Sequence, residues 1–258
     1  MKIPPHHTFA LCAQASDPES RYPWALEHGF ALEYTPDPER LELLPVHTAE
    51  FRRRDVPVRY HTRYFGLEFG DARPEFAQAA FDAHRNTLDA MAQVGGEVLT
   101  VHAGLSRGVE LDFDTVARNL KRLVDHGRKL GVTVCLENLR AGPGSDPENI
   151  LRWASFADSA ITMDLGHVVS SEQVKSGELK GEKIARAFLP RLLEVHFYGK
   201  EEGRHLPLES MRGVEHIVEV VLESSCRWWT VELQDTTEAL ATRSLLEEYL
   251  RERGLLSV

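Results

Sequence analysis

Four ionisable residues close apolar runs in the second half of the 258-residue sequence: Glu137 in VCLEN, Asp164 in ITMDLGH, His196 in LLEVHF and Glu232 in WWTVEL. Successive members lie 27, 32 and 36 residues apart, each spacing close to one strand-plus-helix unit. Three carboxylates and an imidazole gathered at one point would repel one another. A divalent cation removes that cost, and the mixed oxygen and nitrogen donors suit Mn, Zn, Mg or Co better than a soft metal. Singly, each residue reads as a helix cap, a surface acid or a satisfied core histidine. Together, at equivalent ends of consecutive strands, they predict a metal site. A second tier of imidazoles surrounds them: His61 in RYHTRY, His102 in TVHAG, His167 three residues after Asp164, and His205 in GRHLPL. Each stands equally as a further ligand or as a packing residue.

Bringing these side chains together requires parallel strands whose C-terminal ends meet. Eight β-rich runs fit: 8–14, 30–35, 57–64, 97–104, 133–139, 160–166, 192–199 and 228–234. Between them lie stretches with apolar residues at helical spacing. Phe76, Ala80, Phe81, Leu88, Met91 and Ala92 can share one face of 76–94. Val116, Leu120, Leu123 and Val124 mark 113–130, Val214, Ile217, Val218 and Val221 mark 211–222, and a last helix runs over 238–250. Asp112 or Asp114 can cap the second of these, and Gly95 and Gly131 follow the first two where a left-handed residue ends a helix. The first strand runs into AQASDPES, with no phosphate-binding glycine cluster, which argues against an open doubly wound sheet. The pattern predicts an α/β fold, a single (β/α)8 TIM barrel over 1–258. The length agrees with the ~250 residues usual for that fold.

Composition narrows the partners. A formal charge of −10 argues against nucleic acid without excluding a local basic rim. There is no apolar run long enough to span a membrane, and the N-terminus reads poorly as a secretory signal, so the cytoplasm is expected. Cys12, Cys135 and Cys226 are far apart and odd in number, as packing residues in a reducing compartment would be. Arg52, Arg53 and Arg54 read as a solvated basic run. One of Trp228 and Trp229 is expected between barrel and helices. His6 and His7 stand near a terminus, and Trp24, Tyr60, Tyr64 and Tyr198 could line a pocket.

From GFALEY (29–34) to the VEL around Glu232, the chain resembles the xylose isomerase-like barrels, which include sugar isomerases and epimerases and the endonuclease IV group of zinc phosphodiesterases. Its strongest parts are LEN around Glu137, the Asp-x-x-His from Asp164 to His167, His196 and Glu232. The resemblance implies that Glu137, Asp164, His196 and Glu232 bind one metal, and that Glu33 supports the site without binding it. In the epimerases, Glu137 and Glu232 would be the acid/base pair that moves a proton through an enediolate on a metal-chelated sugar or sugar phosphate. His167 and Arg204 would hold that substrate, although Leu208-Glu209-Ser210 stands where a Gly-x-Gly is expected. In the endonuclease IV group, two or three zincs would be held, with His61, His102, His167 and His205 as additional ligands. Gly203 stands where the ninth ligand, an Asp, is expected, and Glu201 or Glu202 could replace it. The isomerase or epimerase is the leading expectation, the zinc phosphoester hydrolase its rival, and a non-enzymatic metal-binding barrel a third class.

Overall fold

In the computed structural model, which describes residues 7–256, the apolar runs form parallel strands and the amphipathic stretches cover them. His6 lies outside the described residues. The first half comprises β1 (Thr8–Gln14), α1 (Arg21–Glu27), β2 (Ala31–Thr35), α2 (Leu44–His47), α3 (Ala49–Arg53), β3 (Val58–Thr62), α4 (Pro74–Gln93), β4 (Val98–His102) and α5 (Phe113–Leu130). The second half comprises β5 (Thr133–Glu137), α6 (Pro147–Ala157), β6 (Ala160–Asp164), α7 (Leu165–Ser170), α8 (Glu172–Lys175), α9 (Gly181–Phe188), β7 (Leu192–Phe197), β8 (Lys200–Glu201), β9 (His205–Leu206), α10 (Glu215–Leu222), β10 (Trp228–Val231) and α11 (Thr236–Glu252).

Eight strands close in the order β1-β10-β7-β6-β5-β4-β3-β2, all neighbours parallel. The fold is a single (β/α)8 TIM barrel. The remaining pair, β8 and β9, forms a small antiparallel hairpin between β7 and α10.

The helices follow local rules. Asp112 caps α5 by accepting from the Thr115 N–H, and Gly131 ends it at φ 76°. The expected apolar faces of α5 and α10 are buried, as are Ala80, Phe81, Leu88 and Met91 of α4. Phe76 is not: it is 46% exposed, on the first turn, with the Arg73 guanidinium over its ring. Trp229 packs outside the barrel wall against Phe9 and Phe197, while Trp228 lies inside with Ala10 and Ala31. All three cysteines are buried and free. Arg53 and Arg54 are exposed and ion-paired to Glu50.

The barrel interior is the feature that positions the chemistry. Such interiors are ordinarily filled by branched aliphatic side chains. Here alternate residues on six strands read Arg59-x-His61, Thr100-x-His102, Cys135-x-Glu137, Thr162-x-Asp164, Glu194-x-His196 and Thr230-x-Glu232. Because side chains alternate across a strand, each pair stacks a lower polar layer beneath an upper ionisable one. The lower layer satisfies itself. Arg59 donates to Glu194 Oε2 across the barrel at 3.1 Å, the Thr230 hydroxyl donates to Glu194 Oε1 at 2.7 Å, and the Thr100 and Thr162 hydroxyls meet at 2.7 Å. The upper layer satisfies itself only in part.

Candidate metal centre

Glu137 ends β5 and Asp164 ends β6; His196 is the penultimate residue of β7, and Glu232 follows β10 by one residue. One ligand atom from each lies within 4.8 Å of those from the other three, and all four residues are buried. A second group joins His61 of β3 and His102 of β4 to the same Glu137, whose Oε2 is 3.1 Å from His61 Nε2 and 3.2 Å from His102 Nε2. Glu137 Oε1 faces the other way, 3.4 Å from His196 Nδ1. A third group gathers His167 of α7, Glu201 of β8 and His205 of β9. The hairpin builds it by pairing Glu201 directly with His205, around a turn in which Gly203 takes φ 73°.

The imidazole tautomers are fixed from outside the cluster. His61 Nδ1–H donates to Glu33 Oε1 at 3.1 Å and His196 Nε2–H to Glu33 Oε2 at 2.8 Å. His167 Nδ1–H donates to the Asn138 carbonyl at 2.9 Å, and His205 Nδ1–H to the Glu232 carbonyl at 2.8 Å. The second ring nitrogens of His61, His167 and His196 face carboxylates, where each would offer its lone pair to a bound cation. This is how protein groups orient metal-binding histidines. Asp164 is held in turn: its Oδ1 caps α7 by accepting from the His167 N–H at 2.6 Å, and Asn138 brackets its backbone on both sides.

The residues therefore fit a divalent cation on a direct observation. Both Glu137 oxygens, Asp164 Oδ2 and His196 Nδ1 are buried with no hydrogen-bond partner. A cluster of acceptors with no donor carries a large desolvation penalty unless a cation satisfies it. The charges show the same strain. Burial raises Asp164 to about 6, with Glu137 and Glu232 adding to the shift. Burial lowers His61 and His167, yet the facing carboxylates, Glu137 and Glu33 for one and Asp164 for the other, lift both to about 9. Burial likewise opposes ionisation of Glu232, but the Arg63 guanidinium, bonded to its Oε1 at 2.8 Å, and His196 hold it well below the usual range. Protons on these imidazoles occupy positions for which a metal ion would compete.

A family model described as Xylose isomerase-like TIM barrel matches residues 28–253. The chain belongs to the xylose isomerase-like TIM-barrel family. The chain is 29% identical over 157 residues to Uncharacterized protein MJ0008 of Methanocaldococcus jannaschii, covering 60% of this chain and 68% of that one. Among solved structures it superposes on a D-tagatose 3-epimerase-like protein with a TM-score of 0.76 at 19% identity, over 95% of this chain and 97% of that one. It superposes on the 3-keto-D-glucoside 4-epimerase YcjR of E. coli with a TM-score of 0.73 at 20% identity, over 95% and 99%. At these identities the likeness is one of fold.

The xylose isomerase-like barrel thus gathers eight residues singled out in the sequence: His61, His102, Glu137, Asp164, His167, His196, His205 and Glu232. Arg204 is not among them. Its guanidinium is taken by Glu238 of α11 at 2.7 and 2.9 Å, and it does not line the mouth. The hairpin turns it outward in this structure. Of the two glutamates offered for the missing ninth ligand, Glu201 enters the cluster while Glu202 pairs with Lys200 at the surface. The sequence reading missed Arg63, Arg140 and Phe65, which line the mouth, and the tandem tethering by Glu33. Trp24, Tyr60, Tyr64 and Tyr198 do not line it. Among the described residues, no helix is long and apolar enough to cross a membrane.

Proposed function

We propose that this protein is a metal-dependent phosphoester hydrolase with a multinuclear centre at the barrel mouth. The observation that carries the reading is the contiguity of three of the four ligand groups: Glu137 offers Oε2 to one and Oε1 to the next, and Glu201 completes a third beside them, while the fourth, Glu33 with His61 and His196, shares its imidazoles with the first two. Glu137, Asp164, His196 and Glu232 would hold one ion, His61, His102 and Glu137 a second, and His167, Glu201 and His205 a third; Zn or Mn suits these donors. Bound there, divalent ions supply positive charge against a phosphoryl group and make water a stronger acid. The chain's own residues do the rest. Glu33 keeps two imidazoles in the ligand tautomer, Arg63 holds Glu232 ionised, and Asn138 fixes both Asp164 and His167. The three buried free thiols suit a reducing compartment such as the cytoplasm.

A second reading, a sugar or sugar-phosphate isomerase or epimerase, is favoured by the names of the superposed epimerases and by Glu137 and Glu232 standing in one ligand group. There the two glutamates would pass a carbon-bound proton through an enediolate over one ion, with His167 against the sugar. Metal analysis with two assays separates the readings. Two or three ions per chain, loss of one in Glu201→Ala, and release of nitrophenolate from bis(4-nitrophenyl) phosphate are expected. One ion per chain, with solvent exchange at a ketose carbon and no phosphodiester cleavage, would overturn the hydrolase in favour of the epimerase.

A further inference from the structure

Above the ligand groups the mouth opens into a cavity of about 430 Å³, within the size range of small-molecule sites. Its rim is at odds with a chain of net charge −10, because arginines from three consecutive strand-to-helix loops line it: Arg63, Arg107 and Arg140. Two are anchored by carboxylates of the centre. Arg63 uses Nη1 on Glu232, and Arg140 uses Nε on Glu201 at 2.9 Å, which leaves Arg140 Nη1 and Nη2 without an ion pair or hydrogen bond among the described residues. Arg107 is exposed and makes no ion pair or hydrogen bond among the described residues. Beside them, Phe65 lines the same cavity and is 69% exposed, the most exposed large hydrophobic residue described.

The rim is built and braced rather than incidental. The buried Glu68 carboxylate accepts from the N–H groups of Gly104 at 2.8 Å and Ser106 at 2.5 Å, fixing the loop that carries Arg107. Ser106 Oγ accepts in turn from the Gly66 N–H at 2.7 Å, which ties the loop carrying Phe65 to its neighbour. Gly66 turns that loop at φ 81°, a conformation that leaves Phe65 at the tip. An aromatic face held exposed beside free guanidinium edges matches a ligand with a planar ring next to an anionic group.

Building on the hydrolase reading, we propose that the substrate is a small phosphodiester bearing a planar aromatic group, with Phe65 stacking on the ring and Arg107 and Arg140 taking the anionic oxygens. The cavity volume and the chain's net charge of −10 favour such a molecule over a nucleic-acid duplex. Stacking of a ring on an aromatic side chain is worth on the order of tenfold or more in affinity.

Calorimetry on the metal-loaded protein tests this with phenyl phosphate and methyl phosphate as product-like probes, metal content being checked in every variant. The expected result is about tenfold tighter binding of phenyl phosphate, abolished in Phe65→Ala, with Arg107→Ala weakening both probes alike. Equal affinity for the two probes in the unmodified protein, or a preference that survives Phe65→Ala, overturns the proposal. So does displacement of phenyl phosphate by a duplex oligonucleotide at lower concentration than by a nucleoside monophosphate. Bis(4-nitrophenyl) phosphate turnover separates the two levels. Turnover without any Phe65 dependence refutes only the substrate class, whereas no turnover and no binding of either probe refutes the hydrolase reading beneath it.

Discussion

On the multinuclear reading, replacing Glu33 by Gln should weaken one inner ion far more than the other. Glu33 is 1% exposed, and the imidazoles of His196 and His61, overcoming its burial, hold it ionised. One oxygen accepts from His61 and the other from His196, so a single carboxylate orients ligands in two groups. A carboxamide is nearly the same size but has one acceptor oxygen and one NH2. One imidazole can still donate to the oxygen. The other meets the NH2, must present a lone pair to it, and so turns its own N–H toward Glu137. Loss of such an orienting partner typically costs about 10–100-fold in metal affinity, or roughly 1.4–2.7 kcal/mol. Glu33→Ala should weaken both ions by that factor, and it leaves two buried N–H groups without acceptors at about 1–3 kcal/mol each. Cobalt(II) titration of metal-free protein, read by visible absorption and checked by elemental analysis, resolves the ions. Unchanged affinity and stoichiometry in Glu33→Gln would refute the tethering argument. Equal weakening of both ions would refute the tautomer argument while leaving the tether.

Two further outcomes follow from packing and burial. At Gly166, on the first turn of α7, an added methyl would run into the Tyr198 ring, so Gly166→Ala should cost about 1–3 kcal/mol in urea denaturation and displace His167, one residue on. No loss of stability would mean that the start of α7 is free to shift. His84 is buried between Tyr64 and Phe69, and burial pushes it down to about 4. Its folded value lies below its unfolded one, so its contribution is fully present above about pH 6.5 and is lost as pH falls toward 4, up to about 3 kcal/mol. The stability of the unmodified protein relative to His84→Phe should therefore fall across that window, and a pH-independent difference would refute the assignment.

The barrel and most of the site were legible because both depend on period. Strand β1 spans the expected 8–14 and β2 ends at the expected Thr35, while the other six begin within a residue of expectation but end two or three residues earlier, since the apolar run continues past the last ladder pair. The alternation Arg59-x-His61 through Thr230-x-Glu232 also lay in the sequence, and it marks a polar interior without invoking any motif. Other features depend on closure in space. The resemblance marks Glu33 as a supporting residue, but which imidazoles it tethers emerges only when the ring closes and brings β2 within reach of β7. Whether Glu201 or Glu202 faces the cluster is decided by hairpin register, which a Gly turn sets and local composition does not reveal. Arg204, one residue from a cluster member, lies on the opposite face for the same reason.

The three ligand groups rest on scaffolds of unequal stiffness. The two inner groups draw each ligand from a barrel strand or the residue just after one, whereas Glu201 and His205 ride on strands of two residues each, outside the closed ladder. Short surface hairpins open at far lower free energy than core strands. On the multinuclear reading, the outer ion would accordingly be the last captured and the first shed, giving the centre a loading order written into its topology. Under scarcity such a protein would keep its inner pair and surrender the third, so that output falls in steps with supply instead of collapsing at once.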